Sequence, residues 1–268
     1  MFPNVRTATL GGSKFEDDYS FEFNLDATNH YIQTSDTYES VFRGSWSVVA
    51  WIKPEDAQQN FTQVIFGGAN TDNEDRFYVS LNEDDTGHAN KTRIYYRSND
   101  TPDNSLSIDL SSTHLPDGQG KWIHCVWVLD LDDDKFKIFI NGASVSPTDS
   151  SVNFSASVNP ALYTTDINPN IGNNNSDGSV GNRFEGKISE LALYDIALTS
   201  NDAMTLYNGR EPFDQKDWGK AHNVALWFRM GDEGSAMGDD NPIKDLSGNG
   251  NNGTLQNLTD AEKTGDTP

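Results

Sequence analysis

The sequence predicts an all-β fold, a two-sheet antiparallel jelly-roll sandwich with one short helix. Three observations carry that expectation. Short runs rich in Val, Ile, Phe, Tyr and Trp recur along the chain, separated by Asn, Asp and Gly clusters that favour turns. Aromatic residues make up 11% of the chain, with 6 Trp and 14 Phe, a content that disordered chains lack because they build no core to offset their ordering entropy. The length, 268 residues, suits one large sandwich, since all-β domains run to roughly 200–250 residues. A chain of that size buries a core without help from a metal or a disulfide.

Taken in order, residues 1–20 read as an N-terminal arm. Met1 to Ser13 is uncharged apart from Arg6 and the terminal amine, and we expect it to anchor the protein. Trp46-Ser47-Val48-Val49-Ala50-Trp51-Ile52 is apolar on both faces after Ser47, which suits a central strand. Phe77–Leu81 and Arg93–Tyr96 are shorter strands. The best hairpin runs from Lys121 to Asn141, turning at Asp132-Asp133-Asp134. Its return arm places Phe136, Ile138 and Ile140 on one face. Asn141-Gly142 then supplies a tight turn, because both tolerate a positive φ. The helix is expected near 200–208, capped by Thr199, closed by Gly209, and plugging one end of the sandwich. Residues 210–220 are polar. Val224–Phe228 reads as a further strand, and because Trp227 and Phe228 are costly to leave in water, residues 210–268 are expected to pack back on the sandwich.

The charge balance excludes partners. With 19 Lys+Arg against 41 Asp+Glu, the net charge is -22, and such a polyanion repels nucleic acid and anionic membrane surfaces. The single cysteine, Cys125, forms no internal disulfide. The first residues contain no apolar leader segment, and no run approaches the ~20 apolar residues of a membrane span.

Five stretches together resemble the laminin-G-like branch of the concanavalin-A-like lectin/glucanase superfamily. Leu25-Asp26-Ala27-Thr28-Asn29-His30-Tyr31-Ile32 opens the likeness, followed by Ser45–Pro54. Trp122–Val126 with Phe139-Ile140-Asn141-Gly142 comes next. Ile171-Gly172 with Phe184–Glu190 precedes the closing Leu191–Thr199. The likeness spans 21–209, taken as the core domain, and implies the jelly roll. Asp245–Leu255 resembles a motif usually met at the start of such a domain, so the chain is either circularly permuted or begins a second copy; the permuted reading fits its length better. Trp227-Phe228-Arg229-Met230-Gly231-Asp232 with that motif is similar to proteins of aquatic tailed phages, and that likeness alone implies a virion.

Candidate chemistry is sparse. Glucanases of the superfamily carry paired carboxylates on one strand, and the nearest run here, Asp130–Asp134, falls where a turn is expected. His124 and Cys125 are strand neighbours and so face opposite ways, which rules out a dyad. The remaining histidines lack metal-ligand spacing. Calcium is the better metal expectation, at oxygen-rich loops with Asp72, Asp75, Asn173 and Asp177 as candidate ligands. The resemblance implies such rim sites, but Ala27, His30 and Ser189 depart from its pattern, and Asn/Asp loops also serve as plain turns. For glycan stacking the candidates are Trp51, Tyr78, Tyr95, Tyr96 and Trp127, on the sheet face away from the core. The competing reading is that Trp227 and its segment cover that face.

The expected function is non-enzymatic binding. The first reading is a phage virion surface protein, a capsid decoration or tail component whose partners are other virion proteins, with host-surface glycans as a further ligand. The alternative is a bacterial or phage carbohydrate-binding adhesin module, with the bacterial cell surface as the alternative location, and a glycoside hydrolase is a distant third. A homo-oligomer fits either of the first two.

Overall fold

A computed structural model describes every residue except 1–16, 25–28, 56–61, 71–74, 82–90, 99–103, 110–119, 146–159, 177–178, 231–242 and 260. Two antiparallel sheets face each other, as the strand pattern predicts. Sheet A runs in the order β10 (Ala143–Ser144), β9 (Lys135–Ile140), β8 (Ile123–Asp130), β3 (Trp46–Pro54), β14 (Gly186–Tyr194), β1 (Ser20–Phe23) and β17 (Lys263–Thr264). A further strand, β15 (Val224–Phe228), also pairs with β14. Sheet B runs β16 (Thr254–Gln256), β2 (Tyr31–Gln33), β11 (Asn170–Ile171), β4 (Gln63–Ala69), β5 (Arg76–Leu81), β6 (Lys91–Arg97) and β7 (Asn104–Asp109). A small hairpin joins β12 (Asn174–Ser176) to β13 (Ser179–Gly181).

β3 is central, lying between β8 and β14, and its alternate side chains are buried on both faces. Trp46, Val48, Ala50 and Ile52 enter the core between the sheets, whereas Val49 belongs to a second apolar cluster on the outer face of sheet A. The β8–β9 hairpin turns where the aspartates predict. Asp130 accepts the N–H groups of Asp132 and Asp133 through one oxygen and the Lys137 ammonium through the other. Lys137 also binds Asp133, holding that carboxyl below its usual pKa. The aspartate run therefore builds a turn.

The helix α2 (Ser200–Tyr207) has the predicted start, and two further points depart from expectation. Thr199 accepts the Asp202 N–H, and the Asp202 carboxylate returns a bond to the Thr199 N–H, closing a capping box. The chain turns left-handed at Asn208 and then Gly209, so Asn208 shares the ending. The helix does not plug an end of the sandwich. It lies on the outer face of sheet A, burying Ala203 and Leu206 with Val49, Val126, Val128 and Phe139. An outer sheet face that carries such residues must be covered, and this helix covers it. The second helix, α1 (Glu39–Phe42), is one turn long and went unforeseen, since four residues show no helical period.

The C-terminal residues contribute to both sheets. β15 sends Leu226 and Phe228 into the central core and Trp227 into the outer cluster, while β16 pairs with β2 and β17 with β1. Asp245 clips this segment in place. Its carboxylate, 5% exposed, accepts from the N–H groups of Trp227, Ser247 and Asn251 and from the Ser247 hydroxyl. Asn252 accepts the Asp245 N–H, and Asn249 donates to the Val224 and Ala225 carbonyls. Replacing Asp245→Ala strands the buried Trp227 N–H and the part-buried Ser247 and Asn251 N–H groups, so urea unfolding is expected to show a loss of about 2–3 kcal/mol.

Candidate functional site

Strand parity sorts the five predicted aromatic residues. Tyr95 and Tyr96 are neighbours on β6, so only one of them can face outward. Tyr96 points into the core and donates to the Phe42 carbonyl at 2.8 Å, fully buried. Trp127 shares the inward parity of Cys125 and Leu129 and donates to the Thr92 hydroxyl at 2.7 Å. Both are corrected from outer-face to core positions. Trp51 does face outward from sheet A, but only 3% of it is exposed, with Tyr207 of α2 and His124 beside it at ring distances of 5.8 and 5.1 Å. On that face the competing expectation holds, for Trp227 and the helix bury it.

Tyr78 and Tyr95 remain, on the outer face of sheet B. They occupy directly opposed positions of β5 and β6. Their rings stack with centroids 4.6 Å apart and planes within 4°. Tyr78 is half-buried and Tyr95 lies beneath, 2% exposed. Registers extend this row across the sheet as Gln33, Asn170, Gly67, Tyr78 and Tyr95. Gly67 is required there, because a β-carbon would come within 2.6 Å of the Tyr78 Cβ. Beyond Gly67, Asn170 donates to Asn173 at 2.8 Å, while Asn170 Oδ1 and Asn173 Nδ2 are buried without a hydrogen-bond partner.

Arginines flank the stacked rings. The Arg76 Nε donates to the Tyr95 hydroxyl at 2.8 Å, and its guanidinium carbon lies 4.6 Å from that ring's centre. Arg93 donates to the Tyr78 hydroxyl at 3.3 Å and lies 5.1 Å from the Tyr95 ring. Arg97 stands directly opposite Arg76. Sequence reasoning named the tyrosines and missed these arginines. The period-two spacing of Arg76 with Tyr78, and of Arg93 and Arg97 around Tyr95, places all five on one face and was sufficient to find them.

Of the four calcium candidates the structure describes Asp75 and Asn173, which stand near opposite ends of β4. Asp72 and Asp177 lie outside the described residues. Asp75 sits in the β4–β5 turn, where its Oδ2 accepts from Asn70 Nδ2 and the Thr164 hydroxyl, both at 3.1 Å. Asn173 follows Gly172, whose N–H bonds Ile65 near the other end of β4. Among the described residues no group of three or more His, Cys, Asp or Glu is placed to hold a metal.

His124 and Cys125 face opposite sides of sheet A, as strand parity requires. Cys125 lies in the central core, where burial raises its thiol pKa. His124 is 1% exposed with Nδ1 unpartnered, and desolvation lowers its pKa from the ordinary 6.5 to about 3. Below pH 6.5 the unfolded chain takes up a proton that the buried ring refuses, so this residue's contribution falls as pH drops toward 3. On going from pH 6.5 to 4.5, His124→Phe should therefore lose about 2–3 kcal/mol less stability than the parent, which denaturant melts at both pH values will measure.

Sheet order and the apolar core between the sheets define a jelly-roll sandwich. Residues 26–203 match the Laminin_G_3 family model of the concanavalin A-like lectin/glucanases superfamily, and the chain belongs to that family. Among solved structures it is similar to a Bacteroides ovatus protein assigned as carbohydrate binding. The two share 19% identity with a TM-score of 0.59, over 90% of this chain and 58% of that one. It is also similar to the CBM40 domain of the Ruminococcus gnavus IT-sialidase, solved with alpha2,3 sialyllactose. Here identity is 15% and the TM-score 0.52, over 70% of this chain and 96% of that one. A Streptococcus pneumoniae NanB sialidase structure matches over 70% of this chain and 27% of its own, at 18% identity and a TM-score of 0.50. At these identities the likeness is one of fold. No curated protein is significantly similar to this chain.

Proposed function

We propose that the protein is a non-catalytic glycan-binding module that uses the Tyr78 face of sheet B. The observation that carries this is the Tyr78–Tyr95 stack, held rigid by Arg76 and Arg93 on an outer face that α2 does not cover. A preorganised aromatic platform beside hydrogen-bonding side chains suits the apolar face and the hydroxyls of a sugar ring. The carbohydrate-binding names of the Bacteroides and Ruminococcus relatives agree with it. Catalysis is not part of the reading, because in the Asp130–Asp134 run Asp130 is committed to the turn and both Asp130 and Asp133 to Lys137. Glycan-array binding by the purified chain, reduced about tenfold in Tyr78→Ala with no sugar released, is the expected result. Release of product abolished by one Asp or Glu substitution would overturn the non-catalytic part.

Display on a phage particle remains a proposal that rests on the likeness of the 227–254 stretch to phage proteins. The Asp245 clip gives much of that stretch a folding role, which a bacterial surface protein would need equally. A mass-spectrometric inventory of purified virions separates the two locations.

A further inference from the structure

We propose a second saccharide site, on the outer face of sheet A, that holds a single neutral sugar ring by its hydroxyl groups. A cavity of about 240 Å³ lies there, lined by Glu22, Lys53, Glu55 and Lys187 together with Pro54 and Gly186. It belongs to the other sheet from Tyr78, so neither site depends on the other. Strand register builds its walls. Glu22, Lys187 and Lys53 stand side by side across β1, β14 and β3. Their neighbours Phe21, Ile188 and Ile52 enter the core, so strand alternation turns all three outward. Asp266 is anchored against the same row, accepting the Lys53 ammonium at 2.7 Å through one oxygen and the Trp122 indole N–H at 3.1 Å through the other.

Lys187 is short of acceptors. Its side chain is 20% exposed, and its ammonium meets Glu22 and Asp266 at 3.5 Å each, with no hydrogen bond made to any described residue. An ammonium carries three N–H donors, and withdrawing them from water without replacement costs free energy. On the same cavity, the exposed Glu55 carboxylate is an acceptor that no described residue engages. Hydroxyl groups answer both needs, because one hydroxyl accepts from an ammonium while donating to a carboxylate, and bonds to charged partners are the stronger kind. Ions fit less well. The carboxylates of Glu22, Glu55 and Asp266 oppose an anion, whereas Lys53 and Lys187, directly opposed on their strands, oppose a metal cation. The volume falls below the roughly 300–1,000 Å³ of pockets for drug-sized ligands, which limits the occupant to a single ring.

The test titrates the full chain and its Tyr78→Ala variant with the methyl glycosides of glucose, galactose and mannose, read by saturation-transfer NMR and by the Trp122 indole N–H resonance beside the cavity. At least one glycoside is expected to shift that resonance saturably in both proteins. Its affinity should fall about tenfold in Lys187→Met and in Glu55→Ala, each of which removes a bond to a charged group. Should Lys187→Met fail to fold, Glu55→Ala decides, since Glu55 is exposed and its side chain engages no described residue. Acetate and methylammonium serve as ionic probes, and tighter binding of either than of every glycoside would overturn the assignment to a neutral sugar. Glycoside binding that is lost in Tyr78→Ala but kept in Lys187→Met and Glu55→Ala would overturn this site and leave the sheet B reading standing. Binding kept in Tyr78→Ala and weakened in the cavity variants supports this site whatever becomes of that reading. No saturable response to any glycoside would leave water as the occupant and overturn the proposal.

Discussion

A chain ending at Arg210 is expected to have no cooperative thermal transition. Truncation there removes β15 from beside β14, β16 from the edge of sheet B and β17 from the edge of sheet A. It also uncovers both faces of sheet A's middle, because Leu226 and Phe228 fill the central core while Trp227 and Leu246 fill the outer cluster. Each large apolar side chain contributes about 1.5–3 kcal/mol when buried, so these four alone approach about 10 kcal/mol. That is comparable to the whole stability of a typical domain, about 5–15 kcal/mol. Circular dichroism and calorimetry of the 1–210 chain will check it. A cooperative melt within a few degrees of the parent would show that residues 211–268 are an appendage and would overturn the single-sandwich reading.

The second large effect is expected at Glu190. This residue sits at the irregularity of β14 between Ser189 and Ala192, with φ at 51°. Its carboxylate, 3% exposed, accepts from Arg229 Nε at 3.0 Å and from the Trp227 indole N–H at 2.7 Å. Arg229 is itself only 10% exposed. Removing Glu190 breaks a buried ion pair and takes away the acceptor of the Trp227 indole N–H as well, so Glu190→Ala should cost about 3–5 kcal/mol. Glu190→Gln should cost less, since an amide oxygen still accepts the Trp227 indole N–H. Denaturant melts of both variants supply the comparison. Equal losses would show that the hydrogen bond an amide oxygen retains contributes nothing and that the charge of Glu190 accounts for the whole effect.

Local sequence logic was enough for much of the fold. The β-branched and aromatic runs of β3 and β8, the Asp-rich turn, Asn141-Gly142 and the Thr199 cap are all set by residues within a few positions of one another, and each formed where its residue types require. The same holds for His124 and Cys125, which strand alternation separates. Five glycan candidates were chosen for their aromatic character, yet the parity of Tyr95 and Tyr96 already meant that one of that pair faced inward.

Only the tertiary structure decided which outward aromatic residue keeps part of its surface exposed. Trp51 and Tyr78 read alike as outward aromatic residues, and nothing near either one tells them apart. The difference comes from distant parts of the chain: α2 and β15 cover the face that carries Trp51, whereas Tyr78 is only partly buried. Register has the same character. Arg76 and Arg97 are far enough apart in sequence that their facing positions follow from strand pairing across a turn, and so does the row that aligns Asn170 and Gly67 with the tyrosine pair. By itself the sequence determined the strands, their turns, the family and the acidic surface, because those depend on local backbone preference and composition. Long-range packing decided which aromatic residues became core, which became platform, and which charges gathered beside them.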